Sequence, residues 1–241
     1  MKEWKRELKK QLVMRWDEIL TLFVLQMIVF LFGQLVAAVA VYVFKGSLIE
    51  IGTLLSLAGA ALVLFCCGIG ATGTYFNVGI SMCAVRKRLV PAMYLVTFAE
   101  AFLAACMGYF FYRLELWIFD TFYPGVKCEM DFGFLFQWKY ILAASLALTA
   151  GYSLIGALFV RFGKVASWIF WMAWVVGCAG LPRSGQILER HRDTAVAQAL
   201  FAVGGAFGKI TESALLWGIA GASALMLIVS YLMLRRQQVQ L

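Results

Sequence analysis

The chain has 241 residues, of which 63% are hydrophobic, and its mean hydropathy is +0.85, whereas about 45–50% of the residues of a soluble domain are apolar. This composition excludes an ordinary soluble domain. The formal net charge of +8 does not indicate a nucleic-acid partner, because most basic residues lie at the ends of apolar blocks, as membrane orientation requires. We therefore predict an all-α polytopic membrane protein.

Residues 1–18 have the pattern of an amphipathic cytoplasmic helix that lies on the membrane. Trp4, Leu8, Leu12 and Trp16 recur every four residues, which places them on one face of a helix. Six basic residues occupy much of the remaining surface: Lys2, Lys5, Arg6, Lys9, Lys10 and Arg15. Such a helix favours the membrane interface, although an ordinary charged helix ahead of a membrane anchor would have a similar pattern.

Apolar blocks of roughly twenty residues follow, the length that a helix needs to cross about 30 Å of hydrocarbon. We predict a six-helix transmembrane domain over residues 19–234, with these spans: Ile19–Phe44, Ile51–Gly73, Leu89–Tyr112, Tyr140–Val160, Val165–Pro182 and Ala214–Leu234. Residues 235–241 then form a short cytoplasmic tail.

The distribution of Lys and Arg predicts which side of the membrane each end occupies, because positive residues accumulate in short cytoplasmic segments. With the N-terminus inside, thirteen basic residues lie in cytoplasmic segments and seven in outer segments, and Arg113 lies at a boundary. Six spans return the C-terminus to the same side. We therefore expect both termini in the cytoplasm.

A cytoplasmic link between the second and third spans, residues 74–90, is too polar to cross a bilayer. It has the composition of a short helix and ends in three consecutive cations, Arg86, Lys87 and Arg88, just before Pro91. These cations are explained by membrane topology and anionic lipid binding alone. They would also steer a soluble partner with an acidic or cleft-shaped surface.

An outer stretch, residues 183–213, is the second segment that does not span. It contains the apolar run 195–207, and a run of thirteen residues is too short to cross a bilayer as a helix. We predict a short re-entrant or interfacial helix on the extracellular side, before the last span.

Few side chains are suited to catalysis. His191 is the single histidine and lies in a charged outer loop without a second candidate ligand nearby, so neither a metal site nor a catalytic histidine is predicted. The sequence has no phosphate-binding loop of the Walker type. We therefore expect a protein that is not an enzyme and binds no cofactor itself.

Glu100 is the one acidic residue deep inside a predicted span, and ionisable residues at such depth usually face a protein interior or a cavity. Two interpretations stay open: a functional carboxyl group, and a carboxyl group that hydrogen-bonds a neighbouring helix to fix packing. Later in the same span, Arg113, Glu115 and Asp120 lie among aromatic residues. That mixture is typical of an interfacial belt with local ion pairs.

The order of these parts resembles the permease subunit of a type-two ABC exporter, a membrane subunit that works with a separate ATPase. The shared order is an amphipathic cytosolic helix, six spans, a cytosolic coupling helix between the second and third, and a re-entrant element before the sixth. The segment Phe76-Asn77-Val78-Gly79-Ile80-Ser81, followed by Arg86-Lys87-Arg88, is similar to the coupling helix of small permeases from Gram-positive bacteria. Met82-Cys83-Ala84-Val85 departs from their pattern, which usually has Gly before the Arg-Lys pair.

The resemblance implies a permease of the bacterial cytoplasmic membrane that pairs with a second permease, identical or different, on an ABC ATPase that binds ATP and Mg²⁺. The residues implied to couple it to the ATPase are Phe76, Asn77, Gly79, Ser81, Arg86, Lys87 and Arg88. Because no span has a continuous polar face, we expect an amphipathic or hydrophobic substrate such as a peptide antibiotic, a lipid or a drug.

Two alternatives come from other classes of membrane protein. One is a substrate-binding subunit like the six-helix vitamin-capturing components of energy-coupling factor transporters, but such components do not contact the ATPase directly, and the basic link at residues 74–90 argues against it. The other is a membrane sensor or immunity protein that sequesters a peptide without transport.

Overall fold

The structure is a computed structural model that describes the ranges 2–44, 48–81, 85–123, 128–130, 132–190 and 211–236. Within these ranges only the backbone is described at residues 2–3, 44, 48–49, 128–130, 178–190 and 236.

Seven α-helices make up most of the described chain: α1 (Lys2–Met14), α2 (Trp16–Phe44), α3 (Ile51–Ser81), α4 (Arg86–Phe122), α5 (Trp138–Phe162), α6 (Lys164–Arg190) and α7 (Glu212–Arg236). Two short strands, β1 (Leu48–Ile49) and β2 (Cys128–Met130), pair in parallel. A 3₁₀ helix, Gly133–Phe136, precedes α5. The protein is thus helical, with a small local strand pair that the sequence did not predict.

Five of the described helices are long and apolar enough to cross a membrane: Trp16–Val43 of α2, Ile51–Ser81, Arg86–Phe122, Trp138–Phe162 and Glu212–Arg235 of α7. They coincide with five of the six predicted spans, which confirms a polytopic, mainly helical membrane protein. The fifth predicted span, Val165–Pro182, lies within α6, where the shorter apolar stretch Lys164–Gly177 is found. The predicted re-entrant run 195–207 lies outside the described residues.

Three helices, α3, α4 and α5, pack against one another at the centre of the bundle. The first span, α2, lies on α3 and α4, and α7 lies on α5 and α4. The short α1 packs on α4, whereas α6 packs on α5. Because α4 contacts five other helices, its buried side chains are the natural place to look for a shared polar site.

A close approach of backbones joins α2 to α3. A Cβ atom added to Gly33 would lie 2.5 Å from the Gly52 Cα atom, a distance that real side chains do not tolerate. Small residues allow such contacts between membrane helices, which gain van der Waals packing from them. Here they bring α2 against the first turn of α3.

The link predicted over residues 74–90 is mostly helical where the structure describes it. Its helical residues belong either to the end of α3 or to the start of α4. Residues 74–81 form the last two turns of α3, and α4 already begins at Arg86. Pro91 therefore lies inside α4. Polarity marks where an apolar block ends but does not end a helix, since the backbone bonds within a helix are satisfied in water as well as in lipid.

Candidate functional site

The connection between α3 and α4 contains the residues implied to couple to an ATPase, and the structure separates them into two groups. Phe76 and Gly79 are buried on the inner side of α3. Asn77 and Ser81 are exposed on the opposite side, and the Ser81 hydroxyl donates a hydrogen bond to the Asn77 carbonyl oxygen at 2.9 Å. The exposed pair is thus available to a partner, and the buried pair is not.

The buried group joins four helices beneath the connection. Its cluster consists of Phe76, Leu89, Val90, Met93, Ala157 and Leu234, from α3, α4, α5 and α7. Gly79 permits this packing, because an added Cβ would lie 2.7 Å from the Leu89 Cδ1 atom. Phe76 and Gly79 therefore support the connection from inside the bundle.

The basic residues at the start of α4 lie next to that cluster. Lys87 and Arg88 are exposed and Arg86 is half-buried, whereas Leu89, the next residue, is fully buried. The exposed cation Arg88 and the fully buried Leu89 are thus adjacent in the chain.

Glu100 lies in the middle of α4 and forms a buried ion pair with Arg15. The Arg15 Nη1 atom donates to Glu100 Oε2 at 3.1 Å and to Thr97 Oγ1 at 2.5 Å. Arg15 is only 1% exposed and Glu100 8% exposed. The guanidinium also stacks on the Tyr75 ring, 4.8 Å from the ring centroid.

The position of Arg15 differs from the sequence prediction, which placed it among the surface cations of the amphipathic helix. Arg15 occupies a turn between α1 and α2, four residues after the equally buried Gln11. Arg15 reaches α4 through Glu100, whereas Leu12 and Trp16 are 44% and 58% exposed. The apolar face is thus only partly exposed, since Leu12 also lines a pocket with Leu95 and Val96 of α4.

A cavity of about 40 Å³ lies beside the ion pair, large enough for a water molecule. Its polar lining comes from Arg15, Glu18, Cys67, Glu100 and Tyr152, and the rest of the lining is apolar. Glu100 Oε1 and Arg15 Nε are buried without a hydrogen-bond partner among the described residues. The ion pair thus keeps unused hydrogen-bonding capacity and lies near a small cavity.

Glu115 has a role that the sequence did not reveal. The side chain is fully buried, and its two oxygens accept hydrogen bonds from the backbone N–H groups of Gly52 at 2.9 Å and Thr53 at 2.7 Å. These donors belong to the first turn of α3, whose N–H groups have no partner within the helix and whose dipole favours a negative charge. Glu115 caps α3 from α4 and is not part of an exposed interfacial belt.

Metal ligands are not grouped in the part of the chain that the structure describes, where no set of three or more His, Cys, Asp or Glu residues is placed to bind a metal ion. His191, the single histidine, falls outside that part. The Arg15–Glu100 pair is therefore the candidate site among the described residues.

No protein family, no curated protein and no solved structure matches this chain.

Proposed function

We propose that the chain is the permease subunit of an ATP-driven exporter of the bacterial cytoplasmic membrane. In this proposal α6, which continues to Arg190 and so includes the first residues of the predicted outer stretch 183–213, completes six spans. The apolar run 195–207 forms the re-entrant element, and both termini are cytoplasmic. A separate ABC ATPase binds ATP and Mg²⁺, and a second permease subunit completes the assembly.

The observation that carries the proposal is the construction of the α3–α4 connection. Exposed cations at Lys87 and Arg88 adjoin a buried cluster that joins α3, α4, α5 and α7. A partner that moves the connection would move four helices together, because packed interiors shift between discrete arrangements rather than deform gradually. This is the mechanical link that a permease driven by a separate motor requires.

The surface between α5 and α6 fits the expected hydrophobic or amphipathic cargo. A groove of about 470 Å³ opens there, and its lining is apolar: Ile155, Leu158, Phe159, Phe162, Val165, Ala166, Ile169, Phe170 and Ala173. A compound dissolved in the bilayer would meet this groove from the lipid without crossing an aqueous path.

Affinity purification in mild detergent, with partners identified by mass spectrometry, tests the proposal. The wild-type chain should retain an ABC ATPase subunit. Replacing Arg86, Lys87 and Arg88 together by Glu should abolish its recovery, because charge reversal removes the attraction to an acidic partner surface.

A matched control reverses three exposed cations elsewhere. Lys5, Arg6 and Lys9 lie on α1, and replacing them by Glu changes the net charge equally while leaving the α3–α4 connection intact. ATPase recovery should then persist. A stable wild-type chain that retains no ATPase, or equal loss in both triple variants, would overturn the proposal.

A further inference from the structure

The turn between α5 and α6 places two cations beside the apolar groove that these helices form. Arg161 and Lys164 are both exposed, and between them lies Gly163, whose φ of 58° suits glycine. The Arg161 guanidinium lies over the Phe162 ring, with its Cζ atom 5.5 Å from the ring centroid. Because Phe162 also lines the groove, positive charge lies at the end of the groove that adjoins the turn.

No acidic residue nearby in the chain neutralises these cations. The sequence has no Asp or Glu from residue 132 to residue 188, a stretch that covers all of α5 and most of α6. Within the part of the chain that the structure describes, neither Arg161 nor Lys164 forms an ion pair. This end of the groove therefore carries two positive charges that an anionic ligand would compensate.

The groove is long enough for most of an acyl chain. Its lining runs from Phe162 back to Ile155 on α5 and from Val165 to Ala173 on α6, which is about 10 Å and about 12 Å at the rise of an α-helix. One leaflet of the hydrocarbon core is about 15 Å deep. Val165 and Ile169 are 65% and 66% exposed, so the groove is open along its side and a chain can enter it from the surrounding lipid.

We propose that the groove and the two cations together bind an anionic phospholipid. One acyl chain lies in the groove, and the phosphate of the head group contacts Arg161 and Lys164, since guanidinium and ammonium groups both bind phosphate. Basic pockets between transmembrane helices bind anionic head groups in the same way. Bilayer lipid reaches the groove without an ATPase, so this inference is separate from the proposed transport function, in which cargo would compete with the lipid.

Two related ligands fit the site less well. The head group of a zwitterionic phospholipid carries its own positive charge, which offsets the attraction of its phosphate to Arg161 and Lys164. A free phosphate ion would contact the cations but leave the apolar groove unfilled. The combination of charge and groove thus favours a lipid with a net negative head group.

Photo-crosslinking of the full chain in mild detergent tests the site. The probe is phosphatidylglycerol with a diazirine group in one acyl chain, and mass spectrometry locates the cross-linked residues. We expect labelling within residues 155–173. Unlabelled phosphatidylglycerol should displace the probe at a concentration at least about tenfold lower than phosphatidylcholine, because two cations attract its net charge. Glycerol phosphate, which has the charge but no acyl chain, should not displace it.

Two variants separate the contributions of charge and groove. Arg161→Gln combined with Lys164→Gln removes both charges and should abolish the preference for phosphatidylglycerol over phosphatidylcholine. Ala166→Phe keeps both charges but fills the groove, and should suppress labelling of residues 155–173. As a matched control, Lys5→Gln combined with Lys9→Gln removes two exposed cations from α1 and should leave both the labelling and the preference unchanged.

Three results would overturn the inference. One is equal displacement of the probe by phosphatidylglycerol and phosphatidylcholine. Another is displacement by glycerol phosphate at the concentration at which phosphatidylglycerol acts, which would show that the groove is not used. The third is unchanged labelling and preference in both the double variant of the turn and Ala166→Phe, which would place the lipid elsewhere.

Discussion

Two buried glutamates, Glu100 and Glu115, lie fifteen residues apart on α4 and differ in how their charge is compensated. Glu115 accepts hydrogen bonds from two backbone N–H groups, one on each oxygen. Glu100 accepts a hydrogen bond from the Arg15 side chain on one oxygen, and its other oxygen is buried without a partner among the described residues.

The comparison distinguishes a structural charge from one with capacity to act. The donors to Glu115 are fixed by the backbone of α3, so neither the carboxylate nor its partners can rearrange without unwinding a helix end. The donor to Glu100 is a side chain from another part of the chain, and the cavity beside the pair is large enough for a water molecule. Burial alone therefore does not distinguish the two acids, whereas the hydrogen bonds that each one accepts do.

The largest expected effect comes from Arg15→Met, which removes the only counter-charge in hydrogen-bond contact with Glu100 among the described residues. Leaving a buried charge uncompensated typically costs about 3–5 kcal/mol, so the free energy of unfolding should fall by that amount. Titration of mixed micelles with a denaturing detergent measures it.

The matched double variant separates the ion pair from simple packing. Arg15→Met combined with Glu100→Leu removes both charges, and replacing a buried pair by apolar residues is often neutral or stabilising. The double variant should thus be more stable than Arg15→Met alone. If it is equally unstable or worse, the stability of this region comes from the shape of the side chains and not from their charges.

A smaller loss is expected from Glu115→Gln. The amide oxygen can accept one of the two N–H groups, but the amide nitrogen cannot accept the other. One buried N–H group of Gly52 or Thr53 then loses its partner, at a cost of about 1–3 kcal/mol, and the favourable charge at the helix N-terminus is lost as well.

Asp120→Asn provides the control for that experiment, because Asp120 is an exposed acid on the same helix and the change removes the same charge. Its effect on the free energy of unfolding should stay within about 0.5 kcal/mol. Equal losses in Glu115→Gln and Asp120→Asn would show that net charge, rather than the cap on α3, determines the effect.

The sequence predicted the helical spans well because their signal is local. An apolar block of sufficient length has few other stable structures in lipid, where backbone groups must bond within their own segment. Five predicted spans accordingly match the described helices. The ends of the helices were less predictable. The second predicted span ends at Gly73, but α3 continues through residues 74–81, because a helix can extend beyond the membrane into water.

Only one member of the candidate ion pair was predicted, because the pairing is not local in the sequence. The depth of Glu100 in an apolar block made it a candidate from the sequence alone, but its partner Arg15 is 85 residues away in the chain and resembles the surface cations beside it. Glu115 was likewise hidden, because its donors are backbone groups of α3, which carry no side-chain signature. Such pairings depend on tertiary contacts that a single sequence does not encode locally.

The smallest expected effect compares two buried threonines, one in each region. The Thr97 hydroxyl accepts a hydrogen bond from Arg15, so Thr97→Val should lower the free energy of unfolding by about 1–2 kcal/mol. The Thr53 hydroxyl is buried without a partner among the described residues, so Thr53→Val removes an uncompensated polar group and should be neutral or slightly stabilising. Both changes nearly preserve side-chain volume, and the same unfolding titration measures them. Equal losses of unfolding free energy at the two positions would contradict this expectation. They would show that the Thr53 hydroxyl, which has no partner among the described residues, stabilises the protein as much as the Thr97 hydroxyl, which accepts a hydrogen bond.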